Sequence, residues 1–374
     1  MFKHNRNFFH SVLLSFIFIL LTFTNCEAQA ETATTKTLFL NNISLGVKGY
    51  YGSFITPRAK VEYIRDSYVT LAEISIQFQT VGTKSWQVTH RYPRWGLSFI
   101  TGNSGSRQYI GRLNALYGFI DVPLLTSKIY KGSFLIGTGL GWVGKPYDLQ
   151  TNSKNTIIGT RMNAFINLQL NNEFTISPRF HLVAGLGFMH LSNGGTSLPN
   201  LGLNIPILSA GLRYACSKPV VEKQKKHADF IKHTTLKVYT AIGIKQTPWI
   251  GSNHYLINTG QVEIARRFAT NHAYGGGAVV FYNRTLRPSV SDNTSGNLSK
   301  WQVAAYGCYE HFFGRLSIPL QAGIYLYNNG KSSGFFQQFG FRVQCSKKIS
   351  TVLLLKTDIG KADFIHAGIG YTIK

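Results

Sequence analysis

The sequence contains few acidic residues and few cysteines, and beyond its first 30 positions it has no long apolar run. Its 374 residues include 15 Asp and Glu against 39 Lys and Arg, which gives a formal net charge of +24. A balance this basic predicts acidic partners, namely nucleic acid, anionic lipid headgroups or phosphorylated glycolipids. No segment after residue 30 approaches the ~18–20 uninterrupted apolar residues of a transmembrane helix, so helical spans are not expected.

The four cysteines exclude a disulfide scaffold and a cysteine metal motif. Cys216, Cys308 and Cys345 are far apart and odd in number, and none has metal-ligand spacing. One disulfide among these three remains open from the sequence. Cys26 invites a lipoprotein interpretation, but the residue before it is Asn25 rather than the small residue expected before a lipidated cysteine.

The first 30 residues have the features of a secretory signal peptide. Lys3 and Arg6 precede an apolar stretch from Phe8 to Phe23, and Ala28–Ala30 forms a small-x-small cleavage site. We therefore predict an exported chain cleaved near Ala30. Export disfavours nucleic acid as the acidic partner and leaves lipid headgroups and glycolipids.

Alternating apolar residues predict strands of an outer-membrane barrel. The chain has 37 Gly and 19 Tyr, and aromatic residues make up 13 % of it. Membrane strands need ~9–11 residues with apolar side chains at every second position, and the segments Ser133–Trp142 and Leu316–Leu326 both show this pattern. A soluble β-sandwich would alternate as well, so the signal peptide and the scarcity of acids decide for the membrane.

The pattern predicts an all-β chain of sixteen antiparallel strands in two halves. The predicted strands are 43–54, 61–79, 95–103, 113–125, 133–143, 161–172, 180–192, 204–215, 235–247, 255–269, 273–285, 301–313, 315–327, 335–345, 349–359 and 363–373. Eight strands close a small barrel filled by side chains, so the halves form either two barrels or one sixteen-stranded barrel. The predicted domains are a signal peptide at 1–30, a barrel at 31–215, a basic linker at 216–234 and a second half at 235–374.

One strand end carries a polar cluster that suits ester hydrolysis. His190 and Ser192 continue the apolar face of strand 180–192, and Asn204 lies on the same face of the next strand. Residues i and i+2 on one face are ~6.5–7 Å apart, which permits a serine and its base to meet. The acyl oxyanion needs donors, and Asn193, Asn200 and backbone amides near Gly194–Gly195 are close in sequence. The alternative is an ordinary polar strand tip followed by a turn.

The motif "HLSNGGTSLPNLGLN" followed by "GLRY" resembles the PagL-type lipid A 3-O-deacylases, a group of bacterial acyloxyacyl hydrolases. "YPRWGLSF", "LYGFIDVPLL" and "GTGLGW" resemble the same group, and the resemblance covers about residues 40–215. It implies an eight-stranded outer-membrane barrel with a Ser–His–Glu triad on its lipid-facing wall. It also implies removal of an ester-linked acyl chain from lipid A, without a metal or another cofactor.

By position, the resemblance implies that His190 is the base and Ser192 the nucleophile. Asn204 takes the third triad position, where family members carry Glu. Asn193 matches the residue after the nucleophile, and oxyanion donors are expected at Gly195 and Asn200. The departure at Asn204 bears on how fast the reaction would be.

The two halves resemble a worn repeat, since "SAGLRY" at 209–214 echoes "HAGIGY" at 366–371 and "YACSK" at 214–218 echoes "VQCSK" at 343–347. The second half lacks the motif, however, because Asp358 stands roughly where His190 would be repeated. We predict a non-catalytic second half. For the whole chain we predict an outer-membrane serine esterase that acts on lipid A, the anchor of lipopolysaccharide, or on a related glycolipid. The rival prediction is a non-catalytic outer-membrane barrel, a channel or a binding protein, descended from such enzymes.

Overall fold

The computed structural model describes residues 42–56, 59–217, 230–247, 249–286, 300–328 and 333–373. The predicted signal peptide at 1–30, and residues 218–229 of the predicted linker, lie outside the described residues. None of the helices in the described ranges is long and apolar enough to cross a membrane.

The first barrel is a closed ring of eight antiparallel strands, in which each strand pairs with the next and the eighth pairs with the first. Its strands are β1 (Ile43–Gly52), β2 (Val69–Gln79), β3 (Arg94–Ser104), β4 (Arg112–Thr126), β5 (Tyr130–Val143), β6 (Met162–Thr175), β7 (Phe180–Ser192) and β8 (Leu203–Ala215). A 3-10 helix, Ala59–Ile64, lies between β1 and β2, and the short helix α1, Ser85–Thr89, lies between β2 and β3.

The second barrel closes in the same way, with the last strand paired to its first. Its strands are β9 (His233–Gln246), β10 (His254–Ala269), β11 (His272–Asn283), β12 (Trp301–Phe313), β13 (Leu316–Asn328), β14 (Phe335–Gln344), β15 (Ile349–Asp358) and β16 (Lys361–Thr372). Of the two arrangements left open by the sequence, the chain adopts two eight-stranded barrels. Cys216, Cys308 and Cys345 are free thiols.

The predicted strands agree closely with the observed ones except at one start. The strand predicted at 61–79 begins at Val69, and Ala59–Ile64 is a 3-10 helix instead. Val61 and Ile64 are the buried residues of that helix. Residues i and i+3 eclipse each other in a 3-10 helix, so both apolar side chains are buried from a conformation that period-two alternation does not detect.

Glycine lines the inside of β5 because the lumen is already occupied. Phe134, Ile136 and Leu140 are outward and partly exposed, as the alternation predicts. A Cβ at Gly137 would lie 2.7 Å from the ring of Tyr117, which is buried. A Cβ atom is essentially never found within 3 Å of another heavy atom in this way. The small inward residues of β5 therefore make room for the large inward side chains of β4.

Each barrel interior contains a cluster of charged side chains that are buried and paired. Arg94 and Arg213 both donate to the Glu173 carboxylate at 2.6 Å in the first barrel. In the second, Arg342 donates to Glu263 at 3.1 Å and to Glu310 at 2.6 Å. A buried charge costs several kcal/mol unless it is paired, so each ion cluster is held together as a unit inside the lumen.

Candidate active site

The polar cluster lies at the end of the β7–β8 hairpin, where an apolar outer wall stops. Leu186 and Phe188 on β7 are 55 % and 36 % exposed, and Leu208 on β8 is 63 % exposed. His190 continues the outward side of β7 and pairs directly with Asn204 on β8. The face assignments made from the alternation of both strands are confirmed.

The His190 ring is oriented by Asn204. His190 Nδ1 lies 2.7 Å from Asn204 Oδ1. A carbonyl oxygen only accepts hydrogen bonds, so Nδ1 carries the ring proton and Nε2 has a free lone pair. An imidazole in this tautomer can take a proton at Nε2.

Gly202 also positions the His190 ring, although the sequence analysis did not assign it a role. Its φ is +76°, in the left-handed region that favours glycine. A Cβ at this position would lie 2.9 Å from His190 Cε1. The glycine therefore allows both the turn into β8 and the close approach of the imidazole. Its place two residues before Asn204 in "NLGLN" is the signal that could have identified it.

Ser192 is held by the β7–β8 loop, and the residue is only 6 % exposed. Its Oγ accepts hydrogen bonds from the Gly194 amide and from Asn200 Nδ2, both at 3.0 Å. The hydroxyl lies 3.2 Å from Asn200 Oδ1, to which it donates. The Ser192 hydroxyl is thus engaged by Asn200, although it shares a strand face with His190.

Asn193 builds the turn that follows Ser192. Its Oδ1 accepts from the Gly195 amide at 3.0 Å, and its Nδ2 donates to the Ser197 carbonyl at 2.8 Å. The predicted oxyanion donor Gly195 thus uses its N–H inside the turn. The Asn193 backbone N–H donates to Asn200 Oδ1 at 3.2 Å. The amide that contacts Ser192 Oγ belongs to Gly194.

Two neighbouring loops hold the segment that carries Asn200. The Leu201 amide donates to the Ile157 carbonyl at 2.9 Å, and Asn200 forms an isolated bridge with Ile158. Both isoleucines are fully buried. On the other side, the Ile55 backbone amide donates to the Asn204 backbone carbonyl at 2.8 Å.

Within the described residues, no three His, Cys, Asp or Glu side chains form a metal-binding cluster.

The β15–β16 hairpin of the second barrel, which corresponds to β7–β8, has no such loop. Between β7 and β8 lie the ten residues 193–202, whereas only Ile359 and Gly360 lie between β15 and β16. Asp358, at the end of β15, accepts a hydrogen bond from Lys356 Nζ at 2.9 Å. The turn of the corresponding hairpin, Asp358 to Gly360, thus offers neither a histidine nor a serine.

Two family models match the chain. One, described as lipid A 3-O-deacylase (PagL), covers residues 70–213, and the other, described as acyloxyacyl hydrolase, C-terminal domain, covers residues 234–374. No relative was found among curated proteins.

Some solved structures are similar to parts of the chain at low identity. Neisserial surface protein A is 10 % identical, with 46 % of this chain and 96 % of that protein covered and a TM-score of 0.33. The outer membrane enzyme PagL is 14 % identical, with 44 % of this chain and 97 % of that protein covered and a TM-score of 0.29.

The two family models, each lying on one of the barrels, cover most of the sequence. The chain therefore belongs to the PagL family of lipid A 3-O-deacylases, which are carboxylic ester hydrolases, and carries the acyloxyacyl hydrolase C-terminal domain after its deacylase domain.

Proposed function

We propose that the first barrel is a serine esterase of the bacterial outer membrane, with Ser192 as nucleophile, His190 as base and Asn204 as the group that orients His190. The observation that carries this proposal is the 2.7 Å hydrogen bond from His190 Nδ1 to Asn204. It fixes the tautomer whose Nε2 can accept the Ser192 proton, at the end of an apolar outer wall.

The reaction begins with an exchange of hydrogen bonds. The Ser192 hydroxyl leaves Asn200 Oδ1 and donates to His190 Nε2 instead. Ser192 Oγ then attacks the acyl carbonyl carbon while its proton passes to His190. The protonated imidazole gives that proton to the departing sugar oxygen, which leaves an acyl-enzyme. A water molecule deprotonated by His190 hydrolyses it and restores Ser192.

The oxyanion is stabilised by groups that already surround Ser192 Oγ. The Gly194 amide and Asn200 Nδ2 both lie 3.0 Å from this oxygen. The acyl oxyanion forms on the carbon bonded to Oγ, so these donors are close to it without a large rearrangement. Once Ser192 has released Asn200 Oδ1, the Asn200 side chain can turn its Nδ2 toward the oxyanion.

The outer wall supports an acyl chain as the substrate group. Leu186, Phe188, Pro206 and Leu208 are exposed on the two strands that carry His190 and Asn204. A lipid acyl chain lying along this wall would bring its ester to the strand ends. The proposed substrate is therefore lipid A or a related glycolipid in the surrounding membrane.

A second candidate is a non-catalytic binding barrel. The neutral Asn204 and the contact between Ser192 and Asn200 favour it, because neither activates the nucleophile. We further propose the partition of the chain into a signal peptide at 1–30, the catalytic barrel at 31–215, a basic linker at 216–234 and a non-catalytic second half at 235–374.

Mass spectrometry of lipid A incubated with the purified protein distinguishes the two candidates. We expect the loss of one ester-linked acyl chain with the native protein and no loss with Ser192→Ala or His190→Ala. The matched control is Ser153→Ala, which changes an exposed serine in the β5–β6 loop and should deacylate at the native rate. If lipid A stays intact with the native protein, or if Ser192→Ala retains native turnover, the serine esterase proposal is wrong.

A further inference from the structure

An open groove on the outer rim of β3, β4 and β5 brings three cations together, away from His190 and Ser192. Its volume is about 460 Å³. Its lining residues are Gly102, Asn103, Arg107, Gly111, Arg112 and Lys145. None of these residues contributes to the reaction proposed above.

Hydrogen bonds between two loops hold together the backbone segments that carry the cations. The Lys145 amide donates to the Ile110 carbonyl and the Gly144 amide to the Arg112 carbonyl, both at 2.8 Å. Lys145 Nζ also donates to the Arg107 carbonyl at 3.0 Å. The β3–β4 and β5–β6 loops are thus joined, and the groove is built before any ligand arrives.

No carboxylate lines the groove within the described residues. Arg112 Nε donates to Thr101 Oγ1 at 3.0 Å, and the Arg107 guanidinium interacts electrostatically with the nearby Asp66 carboxylate. Asp66, an acid near this loop, accepts from the backbone amides of Arg107 and Gln108 at 2.9 and 2.8 Å. Its carboxylate is therefore engaged by the loop backbone, and the guanidinium groups keep donors for an anion.

The position of the groove on the barrel indicates a lipid headgroup. Arg112 is on the outward side of β4, and the exposed Leu116 lies on the same side four residues along the strand. Phe99 and Trp142, with ring centroids 6.2 Å apart, also lie on this outer side. Aromatic side chains on the outside of such barrels mark the membrane interface, so the cations just beyond them are at headgroup depth.

The groove is separate from the catalytic residues. Register pairs connect Ser192 on β7 to Leu116 on β4 in one row across the wall. The residues of β6 and β5 in this row are Ala164 and Leu140. Arg112 is three strands from β7 and four residues beyond this row, which corresponds to roughly 15–20 Å along the wall. A ligand bound here would not occupy the position of the scissile ester.

We propose that this groove binds the phosphate group of an outer-leaflet glycolipid and anchors its headgroup beside the active site. The choice of a glycolipid rests on the proposed function. The chemistry rests on the two arginines, whose planar forks match phosphate oxygens, and on the ammonium of Lys145. The phosphate stays at the rim while the acyl chains lie along the apolar wall below.

The test measures binding rather than turnover. Ser192→Ala protein in detergent micelles is titrated with phosphorylated lipid A and with the same lipid after its phosphates have been removed. The variant Arg107→Gln/Arg112→Gln is compared with Lys60→Gln/Lys154→Gln, which removes two exposed cations outside the groove. We expect the arginine pair to weaken binding of the phosphorylated lipid at least ~10-fold. The lysine double variant should bind the phosphorylated lipid as tightly as the parent protein does. The arginine double variant should bind the phosphate-free lipid as tightly as the parent protein does.

Three results would overturn the proposal. Equal losses in the two double variants would indicate a general charge effect. An equal loss with the phosphate-free lipid would show that phosphate is not recognised. Displacement of the lipid by inorganic phosphate at comparable concentrations would make the groove a site for free anions. Deacylation by the Ser192-bearing protein is scored separately, so an inactive protein that still binds through the groove refutes only the esterase.

Discussion

At the scale of single residues, Asn204 decides how well His190 serves as a base. Its amide oxygen fixes the tautomer but carries no charge to stabilise the imidazolium that forms during attack. We expect Asn204→Ala to slow deacylation ~10-fold or more, within the range of general-base effects. Asn204→Glu should preserve or raise the rate, provided that the longer side chain fits between β8 and the ring. Initial rates in detergent micelles measure both, and an unchanged rate in Asn204→Ala would remove this residue from the site.

Gly202 is the second residue-scale determinant. In Gly202→Ala the new Cβ would lie 2.9 Å from His190 Cε1, in a backbone with φ of +76°. We expect a lower kcat because the ring must move, while the barrel remains folded. Gly251→Ala is the matched control, because Gly251 has φ of +81° but no heavy atom within 4 Å of its added Cβ. Similar losses of activity in the two variants would contradict the proposed contact with His190.

At the scale of elements, the loops around the site depend on Asn155, which is fully buried. Its Nδ2 donates to the Lys145 carbonyl at 2.8 Å and its Oδ1 accepts from the Ile157 amide at 3.1 Å. Asn155→Ala would remove the acceptor of the buried Ile157 and Ile158 amides, at about 1–3 kcal/mol each, whereas Asn152 Nδ2 still donates to the Lys145 carbonyl. We expect faster proteolysis of the β5–β6 loop and slower deacylation, because Ile157 supports the segment with Asn200. Ser153→Ala, in the exposed part of this loop, should change neither, and native behaviour of Asn155→Ala would contradict the role.

The strands could be predicted from the sequence because their alternation is local. Phe134 and Ile136 face outward as predicted, since each residue's side follows from its position along one strand. The 3-10 helix at Ala59–Ile64 could not be predicted, because its buried Val61 and Ile64 have no period of two. Strand faces predicted that His190 and Asn204 lie on the same surface of neighbouring strands, and the family resemblance predicted that they are partners. The bond from Ser192 to Asn200 was not predictable, because it depends on how the loop folds back.

At the scale of the whole molecule, the sequence left the number of barrels open because closure depends on distant pairing. β8 pairs with β1, and β16 pairs with β9, over separations that no local pattern encodes. One echo between the halves is structural: Tyr214 and Tyr371 both pair with the first residue of the preceding strand. The echo of "YACSK" in "VQCSK" is not, because Cys216 follows β8 whereas Cys345 follows β14, the sixth strand of its barrel.

The filled interiors predict that neither barrel conducts ions. Arg94 and Arg213 bind Glu173 inside the first lumen, and Arg342 binds Glu263 and Glu310 inside the second. Opening a path through either lumen would require these ion pairs to separate. Breaking such a buried cluster by removing one partner costs about 3–5 kcal/mol, because the remaining charge is left buried and unpaired. We expect purified protein in planar bilayers to give no steady current steps under conditions in which a porin conducts. Reproducible steps that disappear when the protein is left out would support the channel alternative and contradict the role of these clusters as plugs.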